Sequence, residues 1–177
     1  MEEYPFDVSL VDVLRQYAKQ KSSLSCPEDA LRLLRLIKHV NETIAESSFY
    51  IVVEPRSLVE GELTEEDFLD SNKVLWVPLA YEEEGGPYLF ASSTHEGAIA
   101  HLSGEDHVLY ISSEDCYHRF FEGSDTLKGI LFDPDEDFYT LTREEFIEAR
   151  EKGPAYEEKW HKMEQRLEAN VKRKKPN

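Results

Sequence analysis

The carboxylate pattern with the clearest chemical precedent lies between Asp133 and Glu144. Asp133, Asp135 and Asp137 alternate with other residues, and Glu144 stands eleven positions after Asp133. Calcium-binding loops of the EF-hand type place oxygen ligands at their first, third, fifth and twelfth positions, and all four are present here. Phe138, however, fills the sixth position, where the sharp turn of such loops needs glycine. We therefore interpret this segment as an acidic turn between a strand and a helix, without a metal ion.

Three histidines, His95, His101 and His107, recur at six-residue intervals. A zinc site needs its ligands on one side of an element. Residues six apart on a helix point about 240° away from each other, so one helix cannot present two of these side chains to the same ion. We predict exposed or capping histidines and no zinc.

Cys116 lies near Asp115 and His118, a combination that suggests a thiol nucleophile. Residues two apart on a helix do not face each other, and Cys116 falls on the apolar side of the predicted helix together with Phe120. We therefore predict a buried structural thiol. The other cysteine is Cys26, and nothing in its surroundings supports a disulfide.

Motifs of the common enzyme classes are absent from the sequence. It contains no phosphate-binding loop, no Gly-x-Gly-x-x-Gly, no Gly-x-Ser-x-Gly and no Cys-x-x-Cys pair. Neighbouring carboxylates are numerous, but they carry little information in so acidic a chain. We predict that the protein is not an enzyme and uses no cofactor.

Hydrophobic spacing predicts the elements that must position these residues. Apolar residues at helical spacing indicate helices over residues 8–19 and 27–46, and β-branched and aromatic runs bounded by turn residues indicate strands. Pro78 places one strand at an edge or a bulge. The predicted strands cover residues 49–53, 74–81, 87–91, 108–111 and 129–132. Helix starts are predicted from Ser25-x-x-Glu28, Ser93-x-x-Glu96, Ser113 and Thr142-x-x-Glu145.

The order of these elements predicts a mixed α/β (α+β) fold. It has a central mixed sheet of about five strands with helices packed on it, a helical N-terminal lead and a long C-terminal helix. A single domain is predicted over residues 1–153, and residues 154–177 form the C-terminal helix and a basic tail. The last helix carries an apolar stripe that favours docking on its own domain, formed by Tyr156, Trp160, Met163 and Leu167.

Four segments follow one another in a recognisable order between about residues 48 and 150. They are the strand over residues 49–53, the Val77-Pro78 strand with its acidic hairpin, residues 89–92 before a helix, and residues 120–125 before the strand that ends at Asp133-Pro134. With the capped helix at Thr142, this order resembles the N-terminal domain of the SseB family, named for an enhanced serine sensitivity protein of bacteria. The resemblance implies an α/β sandwich without an established catalytic motif. It also implies a role in protein binding, since members occur beside secretion and toxin systems as well as alone.

The 177 residues include 20 Lys and Arg against 37 Asp and Glu, a formal net charge of −17. Such a chain is a poor direct ligand for nucleic acid, because both are anionic. The sequence shows neither a signal peptide nor a membrane-spanning run, which favours a cytoplasmic protein with reduced thiols and no membrane partner. The acidic segments are an insertion with Glu60, Glu62, Glu65, Glu66, Asp67 and Asp70, a hairpin with Glu82, Glu83 and Glu84, and a turn with Asp133, Asp135, Glu136 and Asp137.

These acidic segments have two interpretations, a solubilising surface or capture of a basic partner. We predict a non-enzymatic bacterial protein-binding module, of the immunity or neutralising class, that masks a basic toxin or effector. A small-ligand-sensing or regulatory domain related to amino acids is an alternative, as is a solubilising structural domain, and the oligomeric state stays open. The predicted partner-binding residues are Glu82, Glu83, Glu84, Asp133, Asp135, Glu136 and Asp137.

Overall fold

The chain folds as a mixed α/β structure, as the order of its elements predicts. The computed structural model describes residues 9–133 and 139–174, and within these ranges seven strands form one mixed sheet. The helices are α1 (Leu10–Ser22), α2 (Pro27–Glu46), α3 (His95–Ile99), α4 (Ser113–Cys116), which a π-helical turn (Tyr117–Phe121) continues, α5 (Arg143–Glu151) and α6 (Pro154–Lys174). The strands are β1 (Ser48–Ser57), β2 (Val74–Pro78), β3 (Ala80–Glu83), β4 (Gly86–Ser92), β5 (His107–Ser112), β6 (Gly129–Phe132) and β7 (Tyr139–Thr142).

β1 organises the sheet because it pairs with three other strands. β5 lies antiparallel to it from Ser48 to Val53, and β4 lies antiparallel to it at Tyr50 and Ile51. β6 runs parallel to β4, and β7 runs antiparallel to β6. The order β5-β1-β4-β6-β7 follows, with β5 and β7 at its two ends.

β1 and β4 pair only briefly, and β2 and β3 fill the space where they separate. β2 pairs antiparallel with the second half of β1, and β3 pairs antiparallel with the first half of β4. Leu79 lies between β2 and β3 and bridges β1 and β4. Its N–H donates to the Val52 carbonyl of β1 at 2.8 Å, and its carbonyl accepts from the Phe90 N–H of β4 at 2.9 Å.

Pro78 cannot donate a hydrogen bond and is the last residue of β2. The prediction of one continuous strand over residues 74–81 is wrong, because the strand divides at Leu79 into β2 and β3. The predicted placement of Pro78 at an edge or a bulge agrees with β2 having β1 as its one partner in the described sheet.

One face of the sheet carries most of the apolar core. Phe49, Ile51 and Val53 of β1 are buried on this face together with apolar residues of α1, α2 and α5. The ring of Phe49 meets Phe132 of β6 edge to face, with 5.1 Å between the ring centroids. The opposite face has a smaller cluster around Val52, which α3 covers.

α6 packs on its own domain, as its apolar stripe predicts. Tyr156 and Trp160 are buried against Leu34 of α2 and Ala149 of α5, with Met163 beside them. Among the described residues no helix has a stretch both long and apolar enough to cross a membrane.

Ion pairs also join α2 to α6. Lys38 Nζ lies 2.8 Å from a carboxylate oxygen of Glu157 and 3.6 Å from one of Glu42. Burial acts to lower the pKa of Lys38, but the hydrogen bond to Glu157 and the charge of Glu42 outweigh it, so this pKa is raised. Arg35 adds longer contacts to Glu164 at 3.7 Å and to Glu168 at 3.6 Å.

Local capping starts the helices, although not always through the predicted residue. Thr142 and Glu145 form the predicted capping box of α5. At α3 the cap is Thr94, not Ser93, and its hydroxyl accepts a hydrogen bond from the Gly97 N–H at 3.1 Å. Ser93 does not cap the helix, because its hydroxyl donates a hydrogen bond to the carboxylate of Asp133.

The start of α2 also differs from the predicted capping box. Cys26 occupies the N-cap position, and the Ser25 hydroxyl and N–H both donate to Asp29, at 3.0 Å each. α1 covers residues 10–22, so it begins and ends later than the predicted helix over residues 8–19.

β7 is a strand that the sequence analysis does not predict. Its residues Tyr139 and Leu141 are buried, and the hydroxyl of Tyr139 donates a hydrogen bond to the buried Asn41 side chain of α2. The strand thereby links the edge of the sheet to the helical layer.

Candidate functional site

The predicted contact residues Glu82, Glu83 and Glu84 form the tip of the β3–β4 hairpin. The turn passes through Gly85 and Gly86, whose φ angles are 97° and 126°, a backbone region that suits glycine. All three glutamates are exposed. None of them forms an ion pair within the described ranges, although the Lys128 side chain lies against Gly86 of the same turn. The hairpin therefore presents three exposed carboxylates that no cation binds directly.

The acidic insertion connects β1 to β2, and one of its carboxylates is compensated internally. Asp67 accepts hydrogen bonds from Lys73 Nζ at 2.7 Å and from the Thr64 N–H at 2.8 Å. The bond from Lys73 contributes most to lowering the pKa of Asp67 from 3.8 to about 2. The exposed carboxylates of this segment that have no ion pair within the described ranges are Glu60, Glu62, Glu65 and Glu66.

Replacing Lys73 by Met is expected to return the pKa of Asp67 from about 2 towards 3.8. Because the folded-state pKa is depressed, the stabilisation from this carboxylate is present above about pH 4 and is lost as the pH falls towards 2. The measurement is an NMR titration of the Asp67 side-chain carbons. Lys73→Arg is the matched control and should keep the depressed pKa. An unchanged pKa in Lys73→Met would show that Lys73 is not the cause.

Asp133 binds its own chain, so its carboxylate is not free for a partner. Oδ1 accepts hydrogen bonds from the Ser92 hydroxyl at 2.8 Å and from the Ser93 N–H at 3.0 Å, and Oδ2 accepts from the Ser93 hydroxyl at 2.6 Å. The φ angle of Asp133 is 44°, in the left-handed region that aspartate tolerates better than most residues. The side chain therefore ties the end of β6 to the end of β4.

The hairpin and Asp133 lie at opposite ends of β4. The hairpin tip adjoins Gly86, the first residue of this strand, whereas Asp133 contacts Ser92, its last residue. At about 3.3 Å per residue this separates them by roughly 20 Å. The structure therefore does not bring these two parts of the predicted site together. Asp135, Glu136 and Asp137, also predicted as contact residues, lie outside the described residues.

Asp133→Ala is expected to lower the free energy of unfolding by about 2–3 kcal/mol, because hydrogen bonds to a charged group are lost and Ser92 is buried. Asp133→Asn should cost less, since asparagine keeps one acceptor oxygen and tolerates a positive φ. Urea unfolding of the three proteins measures both losses. Equal stability of all three would contradict the assigned role.

A cleft of about 490 Å³ opens where β2 passes into β3. Residues 77–80 line it together with Glu54 and Arg56 of β1 and the loop over residues 103–106. Arg56 lies 3.8 Å from Glu54, while Glu105 of the loop is exposed. Carboxylates thus outnumber the single arginine, so the lining suits a cationic group.

The histidines and cysteines do not assemble into a reactive site within the described ranges. No group of three or more His, Cys, Asp or Glu side chains there is placed to hold a metal ion. His101 Nδ1 lies 2.6 Å from the Tyr81 hydroxyl, and its ring stacks on Phe90 at 4.2 Å. Both cysteines are free, and the prediction of a buried Cys116 is confirmed, whereas Cys26 is exposed. Burial raises the pKa of Cys116 to about 12.

Ser92 and Ser93 were not predicted as site residues, although they decide what Asp133 does. The one signal in the sequence is the Ser-Ser-Thr run after a strand, which by itself indicates helix capping. Asp133 follows Ser92 by 41 positions and Ser93 by 40, so the local pattern does not identify it as their partner.

No family model, no curated protein and no solved structure matches this chain. The resemblance to the SseB family therefore stays a prediction that rests on the order of sequence segments.

Proposed function

We propose that this protein is a non-enzymatic protein-binding module whose acidic β3–β4 hairpin binds a basic segment of another protein. The observation that carries the proposal is the exposure of Glu82, Glu83 and Glu84 on one turn, where none of them forms an ion pair within the described ranges. Three adjacent carboxylates repel one another, and a basic partner relieves this repulsion.

The net charge of −17 supports the same mode of binding. A strongly anionic surface accelerates the encounter with a cationic protein, and this acceleration falls with ionic strength. The cleft beside the β2–β3 junction, with Glu54 and Glu105 at its lining, offers a place for a lysine or arginine side chain of that partner.

The partner class follows from the resemblance to the SseB family together with the charge. We propose that the protein acts in the bacterial cytoplasm as an immunity or neutralising protein and masks the basic surface of a toxin or effector. A binding protein of this kind needs no catalytic group, only a rigid fold that carries its charges.

Affinity capture from the native host, followed by mass spectrometry, tests the proposal. The bait is the full chain, and the captured material is eluted in steps of increasing salt. We expect a basic protein that binds at about 50 mM salt and is released below about 500 mM, because screening weakens exposed charge pairs.

Two variants locate the binding surface. Glu82→Gln/Glu83→Gln/Glu84→Gln should lower the affinity for the captured protein at least about tenfold at low salt. The matched control is Glu96→Gln/Glu144→Gln/Glu151→Gln, which removes the same charge from exposed helical positions and should change the affinity less than about threefold. Salt-independent binding, or equal losses in both variants, would refute the proposed hairpin site.

A further inference from the structure

β5 is an edge strand that lacks the features by which proteins usually protect such edges. Within the described residues it pairs with β1 alone. Between His107 and Ser112 it contains no proline and no Asp, Glu, Lys or Arg. Natural edge strands are commonly blocked by charged residues, proline or bulges, and an unblocked edge can accept a further strand.

The backbone groups that face outward on β5 can be assigned from its neighbours. The Val52 carbonyl accepts from Leu79 on the side of β1 away from β5, while the Ser113 N–H donates to the Ser47 carbonyl at 2.9 Å. In an antiparallel pair, successive residues bond alternately to one side and to the other. Val108 and Tyr110, which lie opposite Val52 and Tyr50, therefore direct their N–H and C=O groups away from the sheet. Ser112 directs its N–H the same way, while its carbonyl belongs to the first turn of α4, whose N-cap it is.

The exposed side chain of Tyr110 gives this edge an apolar surface. Its side chain is 62% exposed and lies on the ring of Tyr50 with 4.7 Å between the centroids. A strand added at this edge would cover Tyr110 while pairing with its backbone.

The charges at the two ends of β5 indicate what kind of strand fits. Glu105 and Asp106 precede the strand, and Glu114 and Asp115 follow it. We propose that β5 accepts an extended segment of the basic partner, with uncharged residues at its centre and Lys or Arg at both ends. This inference rests on the proposed function and adds the mode of attachment, which is strand addition.

A second copy of the chain is a poor occupant for the same reason. Antiparallel pairing of two β5 strands with Tyr110 opposite Tyr110 would bring Asp106 of each copy towards Glu114 of the other. It would likewise bring Glu105 of each copy towards Asp115 of the other. These residues flank the strand, and like charges brought near one another at both of its ends repel.

A synthetic peptide tests the inference without knowledge of the natural partner. The probe is a fluorescent Lys-Lys-Thr-Val-Thr-Val-Thr-Lys-Lys peptide. The control is Lys-Lys-Pro-Pro-Pro-Pro-Pro-Lys-Lys, which has the same charge but lacks backbone donors at five successive positions and so cannot pair through its centre on either side. Fluorescence anisotropy with the full-length protein should show binding of the first peptide at least about tenfold tighter. Hydrogen exchange at the amides of Val108, Tyr110 and Ser112 should slow at least about tenfold when it binds.

Substitutions in the protein test the same edge with the peptide unchanged. Tyr110→Pro removes an outward N–H and should abolish the preference for the strand peptide, whereas Tyr110→Thr should retain it within about threefold. Circular dichroism checks that both variants are folded. If one of them is not, the hydrogen-exchange measurement on the unmodified protein still tests the inference. Equal affinity for the two peptides, no binding up to about 1 mM, or unchanged exchange at the three amides would overturn the inference.

The outcomes also separate this inference from the proposed function. Loss of peptide binding in the hairpin variant but not in Tyr110→Pro would refute strand addition and leave the acidic hairpin as the site. Loss in Tyr110→Pro with no effect of the hairpin variant would support strand addition and refute the hairpin as the binding site. A dimer that Tyr110→Pro dissociates would identify a second copy as the occupant and overturn the proposal.

Discussion

Phe49→Ala is expected to lower the free energy of unfolding by about 3–5 kcal/mol. Phe49 has no exposed surface, and its ring packs edge to face on Phe132 across β1, β4 and β6. Its removal leaves a cavity between the sheet and the helical layer, and the surrounding side chains collapse into it only partly. Domains of this size are stable by roughly 5–15 kcal/mol, so the loss is a large share of the total.

Urea unfolding monitored by tryptophan fluorescence and circular dichroism measures this effect. The midpoint should fall while the slope of free energy against urea stays the same, because the surface exposed on unfolding hardly changes. Phe49→Leu is the matched control and is expected to cost less than about 1.5 kcal/mol, since it keeps most of the buried volume. A loss below about 1 kcal/mol in Phe49→Ala would contradict the central position assigned to this ring.

Destabilisation by Phe49→Ala also affects the candidate site, because β1 pairs with the strands that position this site. Its first half pairs with β4 and β5, and its second half holds β2 where the acidic insertion begins and ends. Phe49→Ala is therefore expected to weaken partner binding only by lowering the fraction of the protein that is folded. The hairpin variant, by contrast, should weaken binding in a fully folded protein.

Strands with a long enough run of β-branched or aromatic residues can be predicted from the sequence. β1 and β6 are β-branched or aromatic runs between turn residues, and both are present where the pattern indicates. β7 is absent from the sequence prediction because it has only four residues, Tyr139–Thr142, which follow an acidic stretch and end in the N-cap of α5. The pattern assigns them to that stretch, and only pairing with β6 makes them a strand.

The role of each carboxylate depends on the side chains next to it in the folded protein, and the sequence does not show which these are. Asp133 and the hairpin glutamates are all carboxylates that stand close to glycine or proline in the sequence. Asp133 accepts hydrogen bonds from two serines at the end of another strand, while the hairpin glutamates form no ion pair within the described ranges. Strand order decides between these outcomes, and local spacing carries no information about strand order.

The same limit applies to β5. Its sequence indicates a strand, and its charged flanks are visible in the chain. That it lies at an edge follows only from the antiparallel pairing with β1 and from the course of β2 and β3 on the opposite side of β1.

A steep loss of stability is expected above about pH 10. Burial raises the pKa of Cys116 from 9.0 to about 12, and burial likewise raises the pKa values of Tyr139 and Tyr156, with a further contribution from Glu145 at Tyr139 and from Glu42 at Tyr156. Each group is neutral when protonated, so the folded state retains a proton that the unfolded state releases. Their contribution is complete below about pH 9 and is lost as the pH rises.

A buried group of this kind contributes about 1.4 kcal/mol of lost stability per pH unit once the unfolded form has ionised. Cys116 and Tyr139 together give roughly 3 kcal/mol per unit above about pH 11, and Tyr156, whose hydroxyl is only partly buried, adds less. This loss is enough to unfold the protein at about pH 12. Urea unfolding at pH 8, 9, 10 and 11 measures the slope. Cys116→Ala and Tyr139→Phe should each flatten it by about 1.4 kcal/mol per unit, whereas Cys26→Ala, which removes an exposed thiol, should leave it unchanged. Identical slopes in all four proteins would show that these buried groups ionise freely in the folded state.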